Sequence, residues 1–337
     1  MLSGLYYKEK EDIAYVCRIS QKKEHIINIS GVNDKMLHGI IDIGSNTIRM
    51  AIYLIEGSHI EMLMKKKHTV GLAGYLKDGL MQQEGIDKAV GVLEEFKAFL
   101  ASFRITKVAA FTTAALRNAK NSKEAVGELE ARTGLSIRVI TGDEEATFDF
   151  IGATHNLQMD SGLLIDIGGG STEIVRYRDR EIQDKTSLPI GSLAFRTRYV
   201  RDILPSVTEC MQMRAEAEAA IRETADFADV SEASIVGIGG TFKGASALYN
   251  VMFNQPASNK RMDTKRIRTV IGSFLSDNGM TQEMAVMLMR TVPDRIYTVM
   301  PGLVIADVLA RRFHSQSITY SDSGVREGFI YDQIIGK

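Results

Sequence analysis

The segment IIDIGSNTIRMAIY at residues 40–53 decides the fold, because it returns as LIDIGGGSTEIVRY at residues 164–177. Each copy is a β-branched strand, a turn of glycine and small polar residues, and a second strand. Each copy also ends its first strand on an aspartate, and the second copy has one glycine inserted. A repeat of this kind predicts two duplicated domains that each begin with a β-hairpin.

Strand and helix patterns alternate outward from the two hairpins. The first half predicts a third strand at 59–71, a helix at 82–103, a buried strand at 108–115, a helix at 121–134, a strand at 136–142 and a helix at 143–157. The second half predicts a helix at 208–228, a strand at 234–240, helices within 264–290 and at 301–313, a strand at 317–321 and a final helix at 321–335. This alternation favours an α/β protein of two closely joined lobes.

The repeat also suggests where the lobes begin and end. We expect an N-terminal extension over 1–37 that no pattern assigns, a first lobe over 38–160 and a second lobe over 161–320. The C-terminal helix, residues 321–337, is a candidate to pack back on the first lobe. A chain of 337 residues that is 45% hydrophobic is long enough to bury two cores.

Composition narrows the class of function. The formal net charge of -1 provides no basic field for nucleic acid or for an anionic membrane surface. Cys17 and Cys210 are too few for a disulfide framework, which suits the cytoplasm, and no run of apolar residues is long enough to span a membrane. The six histidines form no metal-binding spacing, so a metal site would use carboxylates and hold Mg²⁺ or Mn²⁺.

The two hairpin turns are candidate phosphate sites. Glycine allows backbone N–H groups to converge on a phosphate, and the turn after Asp42 adds small polar side chains, although an ordinary Asx turn is an alternative. In the second copy, three glycines lie between Asp166 and Glu173, and the hairpin brings these two carboxylates together. Two carboxylates beside a phosphate nest are typical of an Mg²⁺ site. A purely structural turn would place three flexible glycines there at an entropic cost.

A third glycine turn, at residues 239–241, joins a predicted strand to a predicted helix. The N-terminus of a helix binds anions through its free N–H groups and its dipole, although Gly-Gly turns also serve packing. Three such turns in duplicated halves indicate one shared phosphate site. The predicted phosphate-binding residues are Gly44, Ser45, Asn46, Thr113, Gly168, Gly169, Gly170, Ser171, Gly239, Gly240 and Thr241.

The set of motifs resembles the exopolyphosphatase/guanosine pentaphosphate phosphatase family. The motifs are DIGSN (42–46), TAALR (113–117), GDEEA (142–146), DIGGGSTE (166–173), GIGGT (237–241) and REG (326–328), and the resemblance covers most of residues 38–335. It implies duplicated ribonuclease H-like domains of the sugar kinase/Hsp70/actin (ASKHA) superfold with an active site between two lobes. It also implies Mg²⁺-dependent removal of the terminal phosphate from polyphosphate or guanosine pentaphosphate.

The resemblance assigns the catalytic carboxylate to Glu145, which would orient and deprotonate the attacking water. Glu144 is the second candidate, because two adjacent acids leave the alignment ambiguous by one residue. Without the other motifs, the same pair would be interpreted as acids that favour the first turn of a helix.

The other assignments place Asp166 and Glu173 as metal ligands, with Asp42 as a third acid. Thr113 and Arg117 match a family element in which the arginine would bind phosphate oxygens with both arms of its guanidinium. A surface arginine at a strand-to-helix junction is the alternative.

The sequence also departs from the family pattern. Long members add a helical region with a His-Asp metal site, whereas this chain resembles the short, two-domain form. Many members have an arginine where this chain has Ala194, and Arg196 or Arg198 is a candidate substitute. Arg326 and Glu327 are interpreted as a structural pair between the lobes.

Two other functions compete with hydrolysis. An ATP-dependent small-molecule kinase of the same superfold also uses acidic glycine hairpins, but it needs an acceptor that is protected from water. A non-catalytic sensor of polyphosphate or nucleotide would bind without turnover, which the acids at 42, 145, 166 and 173 argue against. The sequence leaves open which substrate is preferred and whether the protein is a homodimer.

Overall fold

The computed structural model describes residues 36–155, 160–275 and 279–336, which form two main β-sheets with helices around them. Most of the predicted N-terminal extension, including Cys17, lies outside the described residues. Among the helices of the described ranges, none has the length and apolar character needed to cross a membrane.

The first sheet has five strands. Their spatial order is β3 (His59–Thr69), β2 (Thr47–Glu56), β1 (Met36–Ile43), β6 (Lys107–Thr112) and β7 (Ile137–Val139). β2 is antiparallel to both β1 and β3, and β6 and β7 run parallel to β1. The same half contains α1 (Gln83–Ser102), α2 (Ala114–Arg117), α3 (Ser122–Thr133), the 3₁₀ turn Leu72–Tyr75 and a small ribbon of β4 (Leu76–Lys77) and β5 (Leu80–Met81).

The second sheet has six strands. Their spatial order is β10 (Glu181–Leu188), β9 (Thr172–Arg178), β8 (Gly162–Ile167), β11 (Ser234–Ile238), β13 (Ser317–Tyr320) and β12 (Arg261–Asp263). Its helices are α5 (Ser192–Tyr199), α6 (Val207–Arg222), α7 (Gly239–Met252), α8 (Thr264–Ser273), α9 (Gln282–Thr291) and α10 (Val299–Arg312), with 3₁₀ turns at Ala225–Phe227 and Pro293–Arg295.

The two sheets repeat one topology. In each sheet the first strand of the hairpin pairs antiparallel with the next strand and parallel with a later one. The runs of isoleucine and leucine in β1 and β8 suit strands that are buried on both faces, and Ile40, Ile41 and Ile165 are fully buried. The register places Asp42 opposite Arg49 in one hairpin and Asp166 opposite Glu173 in the other. The repeated motif therefore occupies equivalent places in the two halves.

Helix α4 (Gly142–Thr154) lies between the two sheets. On one side, Phe148 joins an apolar cluster with the first sheet and with Phe329 of the C-terminal α11 (Val325–Phe329). On another side, Phe150 packs in a cluster with the second sheet. Gly152 permits close contact with the start of α11, because a Cβ there would lie 2.1 Å from the carbonyl oxygen of Gly324. The C-terminal segment therefore packs against α4 and the first sheet.

The elements differ from the sequence predictions at several places. The predicted strand at 108–115 ends at Thr112, where the chain turns into the short α2, and the helix predicted at 208–228 ends at Arg222. The final helix begins at Val325, not at 321, and continues as a π-helix over Ile330–Ile335. β10, β12 and α5 were not predicted, because β10 is largely polar, β12 has three residues and α5 has a weak apolar period.

Candidate active site

The turns of the two glycine hairpins are in direct contact. A Cβ on Gly169 would lie 3.0 Å from Ser45 Cβ and 3.1 Å from the backbone nitrogen of Asn46. A Cβ on Gly170 would lie 2.8 Å from Ser45 Oγ. Only glycine fits this approach without displacing a neighbour. The predicted phosphate turns of the two halves thus form one site between the sheets.

These turns present free backbone donors. Gly44 N–H donates to Thr47 O at 3.1 Å and Gly168 N–H donates to the oxygen of Ser171 at 2.9 Å, which closes each turn. The N–H groups of the next two residues in each turn, 45–46 and 169–170, donate no hydrogen bond to any described residue. Converging free N–H groups of this kind bind anions.

The third glycine turn lies beside the second hairpin. Gly239 has a φ of 75°, and a Cβ there would lie 2.3 Å from Asp166 Oδ1. The hydroxyl of Thr241 donates to Ile167 O at 2.7 Å, which holds the start of α7 against the end of β8. The N-terminus of a 14-residue helix therefore faces the same acids as the two hairpins.

The predicted metal ligands lie next to one another on the second hairpin. Asp166 and Glu173 are cross-strand partners, and Glu173 accepts a hydrogen bond of 2.7 Å from the hydroxyl of Ser187. Asp42, the third predicted acid, is buried and accepts from Arg49 Nη1 at 3.1 Å. It lies close enough to the others that its charge raises the pKa of Asp166.

The acids raise one another's pKa values. Burial and the charge of Glu145 raise the pKa of Asp166 to about 7, and burial and the charge of Asp166 raise that of Glu173 to about 7. Burial, followed by the charge of Glu173, raises the pKa of Glu145 well above its usual range. Strongly shifted carboxyl groups between two lobes are characteristic of a functional site.

Arg117 bridges two of these acids. Its Nη1 donates to Glu145 Oε2 at 2.6 Å, and its Nη2 lies 3.7 Å from Glu173 Oε1. In this structure the guanidinium is thus paired with carboxylates, whereas the sequence predicted a fork for phosphate. Thr113 begins the same segment, with its N–H donating to Ile43 O at 3.3 Å. A Cβ on Gly170 would contact Ala114 Cβ at 3.4 Å, so this segment adjoins the second hairpin turn.

Glu144 has a different role from Glu145. Its side chain accepts from the Thr141 N–H at 2.8 Å, while the Thr141 hydroxyl accepts from the Glu144 N–H at 3.1 Å, which is a capping box at the start of α4. Glu144 also pairs with Arg138 on the surface. Of the two candidate acids, the structure brings only Glu145 into the carboxylate cluster.

Asp149 is an acid of this cluster that the sequence analysis missed. It is completely buried, and neither of its carboxylate oxygens has a hydrogen-bond partner among the residues that the structure describes. Burial and the charges of Asp166 and Glu145 raise its pKa well above its usual range. The available signal was its spacing, because four residues after Glu145 is one turn along the same helix face.

Two arginines also belong to the site and were not predicted. Arg49 pairs with Asp42 across the first hairpin. Arg295 lies over the third glycine turn, since a Cβ on Gly240 would be 1.6 Å from Arg295 Nη2. Burial and the charge of Arg49 lower the pKa of Arg295 to about 10, so the two guanidinium groups are near each other. Phosphate oxygens between them would balance this repulsion.

The acid cluster fits a hard divalent cation. Its donors are carboxylate oxygens, and the two oxygens of Asp149 are buried with no hydrogen-bond partner in the described ranges. In the described part of the chain, no three His, Cys, Asp or Glu side chains converge closely enough to enclose a metal ion. Mg²⁺ usually takes one or two carboxylates and completes its shell with water and substrate phosphates.

The residues at which the sequence departs from the family pattern lie beside the site. Ala194 N–H donates to Gly169 O at 2.9 Å, which supports the second turn through the backbone. The candidate substitutes are engaged elsewhere: Arg198 pairs with Glu216, and the Arg196 guanidinium lies 5.5 Å from the ring centre of Tyr297.

The C-terminal segment carries Arg326 and Glu327, which the sequence analysis interpreted as a structural pair between the lobes. Glu327 accepts from the hydroxyl of Tyr53 at 2.5 Å and from the N–H of Gly324 at 3.0 Å. Glu327 therefore joins the C-terminal segment to the first sheet through Tyr53.

Known proteins resemble the chain over most of its length. The model of the Ppx/GppA phosphatase family matches residues 51–335. A putative exopolyphosphatase of Haemophilus influenzae is 29% identical over 295 residues, covering 86% of this chain and 89% of the relative. Exopolyphosphatase 1 of Mycobacterium tuberculosis is 25% identical over 302 residues, covering 87% of this chain and 86% of the relative.

Solved structures agree with these sequence matches. The crystal structure of the Aquifex aeolicus Ppx/GppA family member is 26% identical and superimposes with a TM-score of 0.70. The match covers 89% of this chain and 98% of that one, so both halves and the cleft between them are included.

Proposed function

The chain belongs to the Ppx/GppA phosphatase family, and we propose that it releases the terminal phosphate of inorganic polyphosphate by attack of a water that Glu145 activates. Guanosine pentaphosphate, which also ends in a phosphoanhydride, is the alternative substrate of the same chemistry. Two relatives described as exopolyphosphatases, each aligned over most of this chain, favour polyphosphate.

One observation carries the proposal. The two glycine turns touch each other, and each presents free N–H groups beside the buried acids. Donors from both halves would surround a terminal phosphate, while the acids would face the cation that accompanies it. Groups held in place before the reaction stabilise developing charge without having to reorganise.

The proposed reaction is a displacement at phosphorus. The water oxygen forms a bond to the terminal phosphorus while the bridging P–O bond breaks, and its electron pair remains on the shortened chain. Glu145 accepts the proton of the water, and its raised pKa makes it a stronger base than an exposed glutamate. Arg117, at 2.6 Å, holds the Glu145 carboxylate in place.

A divalent cation would be held at Asp166 and Glu173, with the oxygens of Asp149 behind them. Bound Mg²⁺ or Mn²⁺ would neutralise phosphate charge and bridge the protein to the substrate. The free N–H groups would orient the remaining phosphate oxygens, so that the bridging oxygen leaves opposite the attacking water.

Phosphate release from polyphosphate, guanosine pentaphosphate and ATP, with and without Mg²⁺, tests the proposal. We expect Mg²⁺-dependent release from polyphosphate, guanosine pentaphosphate or both, without any acceptor. Phosphate transfer from ATP that occurs only with a small-molecule acceptor would instead show a kinase. Tight binding without turnover in Mg²⁺ would show a sensor.

A further inference from the structure

A second group of cations surrounds a buried carboxylate near the C-terminal end of α10. Residues 299–310 of this helix are all buried, and Asp307 is the charged residue among them. Asp307 accepts a hydrogen bond from Arg214 and one of 2.9 Å from Arg268 Nε, and Arg311 Nε lies 3.5 Å from its Oδ2. One well-placed cation balances a buried carboxylate, so three arginines leave positive charge that Asp307 does not neutralise.

Two of these arginines keep donors available to solvent. Arg268 and Arg311 approach Asp307 through Nε, and their side chains are 48% and 40% exposed. In the described part of the chain the Nη atoms of Arg268 have no hydrogen bond, and Arg311 Nη2 lies 3.8 Å from Glu218 Oε1, which is too far for one. A guanidinium that is anchored at Nε holds its two Nη groups in a fixed plane, which suits the oxygens of a phosphate.

Both arginines line an open cleft of about 530 Å³. Lys265 and His314 add nitrogen atoms to its wall. Among the described residues that line the cleft, Asp263 is the one acid, and its Oδ1 already accepts the N–H groups of Lys265 and Arg266 at 2.8 and 3.2 Å. The cleft therefore offers more positive than negative charge to a ligand.

Hydrogen bonds fix the two sides of the cleft relative to each other. The buried hydroxyl of Thr264, at the start of α8, donates to Ser315 O at 2.9 Å, and its N–H donates to Gln316 O at 3.1 Å. The start of the helix that carries Arg268 is thus joined to the chain that follows Arg311. The donors are held in place before any ligand arrives, which lowers the entropic cost of binding.

The cleft is separate from the candidate active site. Near the start of α10, a Cβ on Gly302 would lie 2.5 Å from Thr241 Cγ2, in the third glycine turn. Arg311 follows nine residues later, which is roughly 14 Å along a helix that rises 1.5 Å per residue. The active site and the cleft therefore lie at opposite ends of this helix.

We propose that this cleft binds a phosphate group, with Arg268 and Arg311 donating to its oxygens and Lys265 adding a third cationic contact. A phosphate carries up to two negative charges and has oxygens for both guanidinium groups, so it matches the charge and the donors of the cleft. The cleft has room for orthophosphate or for a small molecule that carries a phosphate. The site uses no residue of the candidate active site and does not depend on the proposed hydrolysis.

Protection of individual arginines tests the site directly. Phenylglyoxal reacts with accessible guanidinium groups, and peptide mass spectrometry measures the modification of each arginine in the full-length protein. At constant ionic strength, orthophosphate should slow the modification of Arg268 and Arg311 several-fold and saturably. Arg266 is the internal control, because it lies on the same helix but its guanidinium stands 5.0 Å from the ring centre of Phe253. Equal protection by chloride, or none at Arg268 and Arg311, would overturn the site.

Adenosine monophosphate distinguishes the two sources of the phosphate. Protection at similar concentrations of orthophosphate and adenosine monophosphate would show that the cleft holds the phosphate group alone. Protection at a lower concentration of the nucleotide would show that the remainder of a small molecule is bound as well. Protection by the nucleotide without any by orthophosphate would contradict the proposal, because recognition would not be through phosphate.

Replacing Lys265 tests the third contact without disturbing Asp307. Its side chain is exposed and has no hydrogen bond or ion pair within the described ranges. A charged hydrogen bond typically corresponds to about a tenfold change in affinity. Lys265→Ala should therefore raise the orthophosphate concentration that half-protects Arg268 roughly tenfold.

Arg266→Ala is the matched control for this variant. It removes the same charge from the adjacent residue, outside the cleft, so the half-protecting concentration should stay at the wild-type value. Phosphate protection of Arg49, in the candidate active site, should be the same in both variants. A half-protecting concentration that is unchanged in Lys265→Ala, or raised equally in Arg266→Ala, would contradict the site. Because the readout is not turnover, a failure of the proposed hydrolysis would leave this test intact.

Discussion

Glu144 and Glu145 show how one step along a helix changes what a carboxylate does. Both residues are in the first turn of α4. Glu144 closes the capping box with Thr141, whereas Glu145 is buried against Arg117 within the acid cluster. The sequence left this pair unresolved, because motif spacing does not show which side chain of a first helical turn faces the cleft.

Exchanging each acid for its amide separates the two roles. Glu145→Gln removes the base but keeps the size of the side chain, so turnover should fall by about 10²–10⁴-fold while polyphosphate still binds. Glu144→Gln should keep most of the turnover and lose no more than about 1 kcal/mol of stability through the weakened cap. Phosphate release and polyphosphate binding measure both effects. Wild-type turnover in Glu145→Gln would remove Glu145 from its proposed role.

Other residues of the site were only partly predictable. Asp42, Asp166 and Glu173 could be identified because a hairpin places its strand-end acids beside its turn. Arg295 carries no such local signal, since it reaches the third glycine turn only through the packing of a distant 3₁₀ turn. Asp149 was hidden among apolar neighbours, although its spacing from Glu145 indicated a shared face.

Helix α4 packs against both sheets, and its apolar residues do not lie on one face. Phe148 and Phe150 are buried in different clusters, so apolar residues surround the helix instead of forming one stripe. Its close contact with α11 depends on Gly152, which leaves room for the backbone of Gly324. This packing also buries Asp149, because a Cβ on Gly324 would lie 3.3 Å from Asp149 Oδ1.

Gly152→Ala tests this contact. The added methyl group would meet a backbone carbonyl oxygen at 2.1 Å, which cannot rotate away, so we expect a loss of about 1–3 kcal/mol. Gly91→Ala in α1 is the control, because no atom of the described part of the chain lies within 4 Å of its Cβ position. That change should stabilise the protein by up to about 1 kcal/mol. Urea unfolding measures both variants, and equal free energies of unfolding would argue against a tight α4–α11 contact.

Element prediction succeeded where the apolar pattern was strong and failed where tertiary contacts decide. The β-branched hairpins were clear from the sequence. The half-exposed β10 was missed because its residues alternate only weakly, and its place is set by pairing with β9. α5 was missed because the start of this eight-residue helix is fixed by a tertiary contact. The N–H groups of Ser192 and Leu193 donate to the carbonyl oxygens of Gly168 and Gly169 in the second glycine turn.

For the whole molecule, the repeated hairpin was sufficient to predict the class of fold. The α/β fold of duplicated ribonuclease H-like domains of the ASKHA superfold is confirmed, and residues 51–335 match the family model. How the halves meet was not predictable, because it depends on glycine contacts between segments far apart in sequence. The lobe boundaries at 160 and 320 stay a prediction, although the C-terminal segment packs on the first sheet.

Crowded acids make stability depend on pH in a definite direction. In the unfolded chain the pKa values of Asp166 and Glu173 are about 4, and in the folded protein they rise to about 7. Between these values the folded protein binds more protons than the unfolded chain, so its stability falls as the pH rises. Above about pH 7 the full cost remains unless a cation offsets the repulsion.

The melting temperature with and without Mg²⁺, at pH 5.5 and at pH 8, tests most directly whether the paired hairpins gather their acids around a divalent cation. Mg²⁺ should raise the melting temperature by several degrees at pH 8 and much less at pH 5.5, because the acids are protonated at the lower pH. Asp166→Asn should melt higher than wild type in Mg²⁺-free buffer at pH 8 and should respond little to Mg²⁺. An Mg²⁺ response that is equal at both pH values and unchanged in Asp166→Asn would contradict the account.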